Sequence, residues 1–250
     1  MARLPRLVIA HQVHVVIQRG LDHQPLFRDA DDYRAMLAWL REGSRKFKCA
    51  IHAYALLPQA WYLLATPADD DGLGRMMQWI GRHYVPWYNQ KYRRSGTLWQ
   101  GRFKATVIDA EHYLLACTRY IETTLVEGDA APGPGRNADT AWSSFAHHIG
   151  QQQDGLITEH ALFWALGNTP FDREAAYRQL SQSPLPATDA ALLRVATAKG
   201  WALGSEKFRH EIEKQAGRRV APAARGRPPK EGARQSTAKT VDKMAKTALK

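Results

Sequence analysis

The chain has 250 residues, 44% of them hydrophobic, with two cysteines and a formal net charge of +11. That content suits a packed globular core and excludes a disordered chain, and no stretch approaches the ~18 consecutive apolar residues of a membrane span. Cys49 and Cys117 are too few and too far apart for a disulfide framework or a CxxC metal knuckle, so both read as reduced, partly buried thiols.

The opening twenty residues carry Arg3 and Arg6 and are interrupted by His11, Gln12, His14 and Gln18 before an apolar leader could form. The expectation is a cytoplasmic, nucleoid-associated protein. Val13 to Arg19 (VHVVIQR) is rich in β-branched side chains and runs into Gly20, which reads as a strand entering a turn. From Asp31 to Lys48, Tyr33, Met36, Leu37 and Leu40 recur at helical spacing. Residues 49 to 57 and 61 to 66 are short apolar runs on either side of Pro58-Gln59-Ala60, the pattern of a hairpin. A second helix is expected from about Gly72 through Tyr92, limited or kinked by Pro86, then an extended segment over Thr97 to Asp109 and a third helix from Ala110 to about Glu127.

This order predicts an α+β fold, a ferredoxin-like antiparallel sheet covered on one face by helices, with the other face left for a ligand. The expected α+β domain spans residues 1–129. A Pro/Gly-rich linker follows over 130–141, then a small helical module over 142–215, where Trp142 to Leu180 and Asp189 to Gln215 carry helical spacing. Residues 216–250 read as a flexible basic tail. Between Ser205 and Lys250 there are 13 Lys and Arg against 5 Asp and Glu, so +8 of the net +11 lies where a polyanion would meet it.

Several short stretches, in order, resemble the REP-associated tyrosine transposases of the His-hydrophobe-His nuclease group. They are His14-Val15-Val16 with Arg19-Gly20, Leu26-Phe27-Arg28-Asp29, His52-Ala53-Tyr54 and Leu98 through Ala105. Tyr113-Leu114-Leu115, Arg119-Tyr120-Ile121-Glu122 and Trp142-Ser143-Ser144 complete the series. The resemblance covers about Met1 to Ile149. It implies a single-stranded DNA endonuclease and strand-transfer enzyme acting on hairpin-forming DNA, whose tyrosine attacks a phosphate to give a 5′-phosphotyrosine. It also implies a divalent cation, magnesium or manganese, polarising that phosphate.

On this chain the nucleophile position of the resemblance falls on Tyr120, which otherwise reads as an ordinary helix tyrosine packing at the sheet edge. The two histidine positions fall on Ala60 and Tyr62, and the third ligand position on Thr124. Alanine offers no donor atom, and a neutral phenol or hydroxyl is a weak substitute for imidazole. The expectation is therefore a catalytically impaired DNA-binding protein with no metal cofactor. An active transposase with a rearranged site drawing on Gln59, His52 or Glu122, and an RNA-binding module, stand as the alternatives. Arg19, Arg102, Lys104 and Arg119 are candidate phosphate contacts, and Trp87, Tyr88, Trp99 and Phe103 candidate stacking platforms or core residues. In the tail, Arg225-Gly226-Arg227-Pro228 resembles an AT-hook core, which makes Arg225 and Arg227 minor-groove candidates. The expected partner is hairpin or single-stranded DNA, with no membrane; the sequence leaves the oligomeric state open.

Overall fold

The computed structural model of the protein describes residues 6–124, 142–183 and 185–222, and of Thr124 the backbone only. Arg225, Arg227 and the 130–141 stretch lie outside the described residues. Among the described residues, no helix is long and apolar enough to cross a membrane.

The elements alternate as the sequence predicts: β1 (Val13–Arg19), α1 (Ala30–Lys46), β2 (Cys49–Leu57), β3 (Ala60–Pro67), α2 (Gly72–Lys91), β4 (Lys104–Ile108) and α3 (Ala110–Arg119). The four strands form one antiparallel sheet in the order β2-β3-β1-β4, the ferredoxin-like arrangement in which each long connection skips one strand. Asp29 starts α1 by accepting the amide protons of Asp31 and Asp32 while the Asp32 carboxylate takes the Asp29 N–H, a reciprocal cap. Helix α2 continues past Pro86 and does not end there. That residue is exposed, so the carbonyl its ring leaves without an amide partner faces water. The extended segment expected from Thr97 shortens to five residues, because Gly96 and Gly101 turn the chain at φ +85° and +68°.

Helices α1 and α2 cover one face of the sheet, burying Val16, Leu56, Trp61, Leu63 and Ala65 with Met36, Leu40, Met76 and Ile80. The two helices pack closely at Gly43, where an added Cβ would meet Met76 Cγ at 3.3 Å. The second face is not left open, which corrects the sequence expectation. Val13, Val15, Ile17, Ala53, Ala55, Leu57, Tyr62 and Leu64 project onto it, an apolar set that water would penalise. They are buried under Leu114 and Cys117 of α3 and under Leu193 and Ala196 of a later helix.

That later helix belongs to a run of five: α4 (Phe145–His148), α5 (Ala161–Trp164), α6 (Pro170–Gln182), α7 (Ala187–Lys199) and α8 (Glu206–Ala216). Both sheet edges are closed by this run. Ser143 and Ile157 bridge to β2, and Leu203 bridges to β4, which removes the exposed backbone donors that make edge strands prone to association. Val220, inside the stretch read as tail, is 1% exposed and its carbonyl accepts the Ala202 N–H.

Candidate nucleic-acid interface

Period-two alternation along β3 sends Ala60 and Tyr62 to one face and Trp61 to the other. Tyr62 lies opposite Ile17 of β1 and Ala55 of β2. Helix α3 widens at its end into a π-helical turn, Tyr120–Thr124, that brings Tyr120 into the same buried cluster as Ala60 and Tyr62. Tyr120 is 5% exposed, with Leu193 and Ala196 of α7 in the cluster around it. Three of the positions named from the sequence thus meet on one face, beneath a helix.

The described groups at this face are a weak donor set for a divalent cation, a phenol at Tyr62 and none at Ala60. Ala60 has no donor, and among the described residues no cluster of His, Cys, Asp and Glu has ligand geometry. Of the three residues named as replacement donors, His52 and Glu122 are engaged by other partners. Gln59 is exposed in the β2–β3 turn. His52 sits at a bulge in β2, its Nδ1 2.7 Å from the Thr158 carbonyl and its Nε2 2.8 Å from Thr66 Oγ1. Burial pushes its pKa down to about 4, with His160 and His148 adding repulsion, so it is a neutral tie between the sheet and the 158 loop.

Glu122 is sealed. Its carboxylate accepts the Ser144 hydroxyl, His148 Nδ1–H at 2.7 Å and the Tyr177 hydroxyl at 2.6 Å, and all four side chains are buried. Burial opposes charging of His148, but the Glu122 carboxylate outweighs it and holds the imidazole pKa above its ordinary value. This cluster ties the π-helical turn to α4 and α6.

The predicted cations separate into two groups. Arg119 is 9% exposed and its guanidinium donates to the Ser183 carbonyl, so it is an internal tie and not part of an open surface. Arg19 is exposed at the end of β1, where its carbonyl accepts the Gln100 N–H. Arg102 is exposed just before β4, and Lys104 donates from Nζ to the Ala198 carbonyl at 2.5 Å.

Arg102 opens onto a groove of about 680 Å³ between α2 and the 99–103 loop. Its walls include Arg6, Arg75, Arg82 and Arg102, with Gln18, Gln78, Trp99 and Phe103 between them and Asp71 the single acid among the described lining residues. Arg75 is neutralised by Asp69 at 2.8 Å. Trp99 stacks on Tyr84 at 5.8 Å and 16°, and Gly81 leaves it room, since a Cβ there would lie 3.2 Å from Trp99 Nε1. Phe103 carries the Arg6 guanidinium 3.7 Å above its ring. Of the other aromatic candidates, Tyr88 is fully buried with its hydroxyl on the Pro25 carbonyl, and Trp87 packs against Trp39 and Tyr84.

Sequence reasoning missed Arg6 and Arg82. A signal for Arg82 exists: Arg75, Gln78 and Arg82 recur at i, i+3 and i+7, a polar stripe opposite the buried Leu73, Met76, Ile80 and Tyr84. Arg6 carried no such signal, because its place depends on Phe103, 97 positions along the chain.

Fold and site together define an α+β protein with a filled ferredoxin-like sheet and a basic, aromatic-lined groove beside it. No family model matches the chain, and no curated protein matches it. Among solved structures it is similar to a REP-associated tyrosine transposase bound to a REP hairpin, at 17% identity and a TM-score of 0.49 over 64% of this chain and 92% of that one. It is also similar to a putative transposase from Deinococcus radiodurans R1, at 20% identity and a TM-score of 0.33 over 49% of this chain and 96% of that one.

Proposed function

We propose that the chain is a transposase-type DNA-binding protein that holds single-stranded or hairpin DNA in the groove along α2 and does not cut it. The observation that carries this reading is the contrast between two surfaces. The face holding Ala60, Tyr62 and Tyr120 is closed by apolar packing, while the groove with Arg6, Arg82, Arg102 and Trp99 is open. Cations along a groove attract the phosphate backbone without regard to sequence, and an aromatic platform adds about 1–3 kcal/mol for each stacked base. The ordered sequence stretches shared with the REP-associated tyrosine transposases support DNA as the polyanion. Attack by Tyr120 needs its hydroxyl in line with a phosphate and a cation beside it, which a tyrosine 5% exposed in the same apolar cluster as Leu193 and Ala196 does not favour.

Binding of a labelled DNA hairpin followed by fluorescence anisotropy tests the reading. Arg82→Ala combined with Arg102→Ala is expected to weaken binding at least about tenfold, roughly 1.4 kcal/mol, with an unchanged melting temperature. Wild-type affinity in that variant, or tighter binding of the matched RNA hairpin, overturns it.

A further inference from the structure

A second hollow of about 310 Å³ opens where the C-terminal run folds back onto β4. Arg6, Arg102, Lys104, Lys199, Arg218 and Arg219 line it, and no Asp or Glu is among its described lining residues. Placing so many like charges around one small hollow costs stability through repulsion, a cost that an anion between them offsets. Lys104 is held by the Ala198 carbonyl, a neutral partner that positions its ammonium at the hollow, and Arg6 is placed there by the Phe103 ring and carbonyl.

The backbone builds this hollow by specific means. Gly200 ends α7 in the left-handed region at φ +69°, where the chain passes so close to β4 that a Cβ would meet the Ala105 carbonyl at 3.1 Å. Leu203 then runs beside β4, its N–H on the Val107 carbonyl and its carbonyl taking the Asp109 N–H. Gly217 ends α8 in the same conformation, and the Ala202–Val220 hydrogen bond fixes the two arginines just before it.

The hollow also shares Arg6, Arg102 and Phe103 with the groove along α2, so the two adjoin at these residues. A small anion would fill one of them; a strand carrying a phosphate on every nucleotide spans both.

We propose that the seam between β4 and residues 199–220 is a second phosphate-binding site, through which the C-terminal run grips the backbone of the same single DNA strand that lies along α2. The proposal rests on the DNA-binding reading and adds a location and a path to it. Lys199 and Arg219 are both exposed, so their replacement leaves the core intact.

The test is the salt dependence of binding of the full chain to an oligothymidylate of about a dozen nucleotides, within the site sizes common for single-strand binders. Each phosphate contact contributes about 0.7 to the slope of log K against log salt for a single strand, so Lys199→Gln with Arg219→Gln is expected to flatten the slope by roughly 1.4. An unchanged slope, with wild-type protein binding normally, overturns the seam and leaves the groove reading standing. Wild-type protein that binds no DNA overturns both. Polyglutamate of matched charge that competes as well as the oligonucleotide also overturns the seam, because it reduces the surface to unspecific charge.

Discussion

Replacing Glu122 with alanine probes the cluster that locks the π-helical turn in place. The wild-type carboxylate accepts from Ser144, His148 and Tyr177, and these four side chains are between 0% and 3% exposed. Removing it strands a buried imidazole together with the Ser144 and Tyr177 hydroxyls. Breaking a buried charged pair costs about 3–5 kcal/mol, and a stranded neutral hydroxyl about 1–3 kcal/mol when nothing relaxes. These terms overlap, so a net loss of about 4 kcal/mol is expected, which for a chain of this size lowers the melting temperature by roughly 8–16 °C.

The pH dependence gives an independent sign. His148 has a folded pKa raised by Glu122, so its contribution is complete below the unfolded value near ~6.5 and is lost as pH rises through the folded one. In Glu122→Ala the burial that disfavours charge is opposed only by the smaller pull of Glu159, so that trend reverses. Circular-dichroism melts of both proteins across pH 5 to 8 read both effects, at unit pH steps of about 1.4 kcal/mol per shifted unit. A loss under about 1 kcal/mol, or the same pH trend in both proteins, refutes the cluster as a stabilising tie.

Three further outcomes follow from the packing. His14 is fully buried, with Nδ1 on the Gln12 carbonyl and Nε2 accepting the Ile9 N–H; burial pushes it, like His52, down to about 4. Each contributes stability that is complete above pH ~6.5 and lost as pH falls toward the folded value, about 3 kcal/mol apiece, so chemical denaturation at pH 4 and pH 7 should differ by several kcal/mol. Gly43→Leu forces α1 away from Met76 and Trp79 and should cost about 1–3 kcal/mol, seen as a lower denaturation midpoint with an unchanged slope. Restoring imidazoles with Ala60→His and Tyr62→His should produce no nicking of hairpin DNA in magnesium or manganese and should lower the melting temperature. The face is already filled by Leu193 and Ala196, so the ring at position 60 overpacks it, while the smaller ring at 62 places an imidazole among apolar neighbours.

The sheet and its two covering helices were legible because they rest on local signals. β-branched residues over Val13–Ile17, the break at Pro58-Gln59 and the 3.6-residue spacing of α1 each act within one element. The shared face of Ala60 and Tyr62 was legible for the same reason, since alternation along a strand is fixed by the pleat. Closure of that face was not. Leu193 and Ala196 lie on a helix whose apolar residues point both ways, with Leu192 and Val195 exposed, and nothing in their spacing says which side meets the sheet. Arg119 illustrates the same limit: as a sequence position beside Tyr120 it reads as a phosphate contact, yet its partner is a backbone carbonyl 64 residues away. The seam cations were hidden likewise, because the sequence places Lys199 and Arg219 in different helical connections and only the return of the chain to β4 joins them.

Mixing full-length protein with a DNA hairpin in magnesium, then dividing the sample between a native and a denaturing gel, puts the whole reading to its hardest trial. The expected result is a retarded complex on the native gel and intact, protein-free oligonucleotide on the denaturing one. A covalent protein–DNA band that disappears in Tyr120→Phe would contradict it.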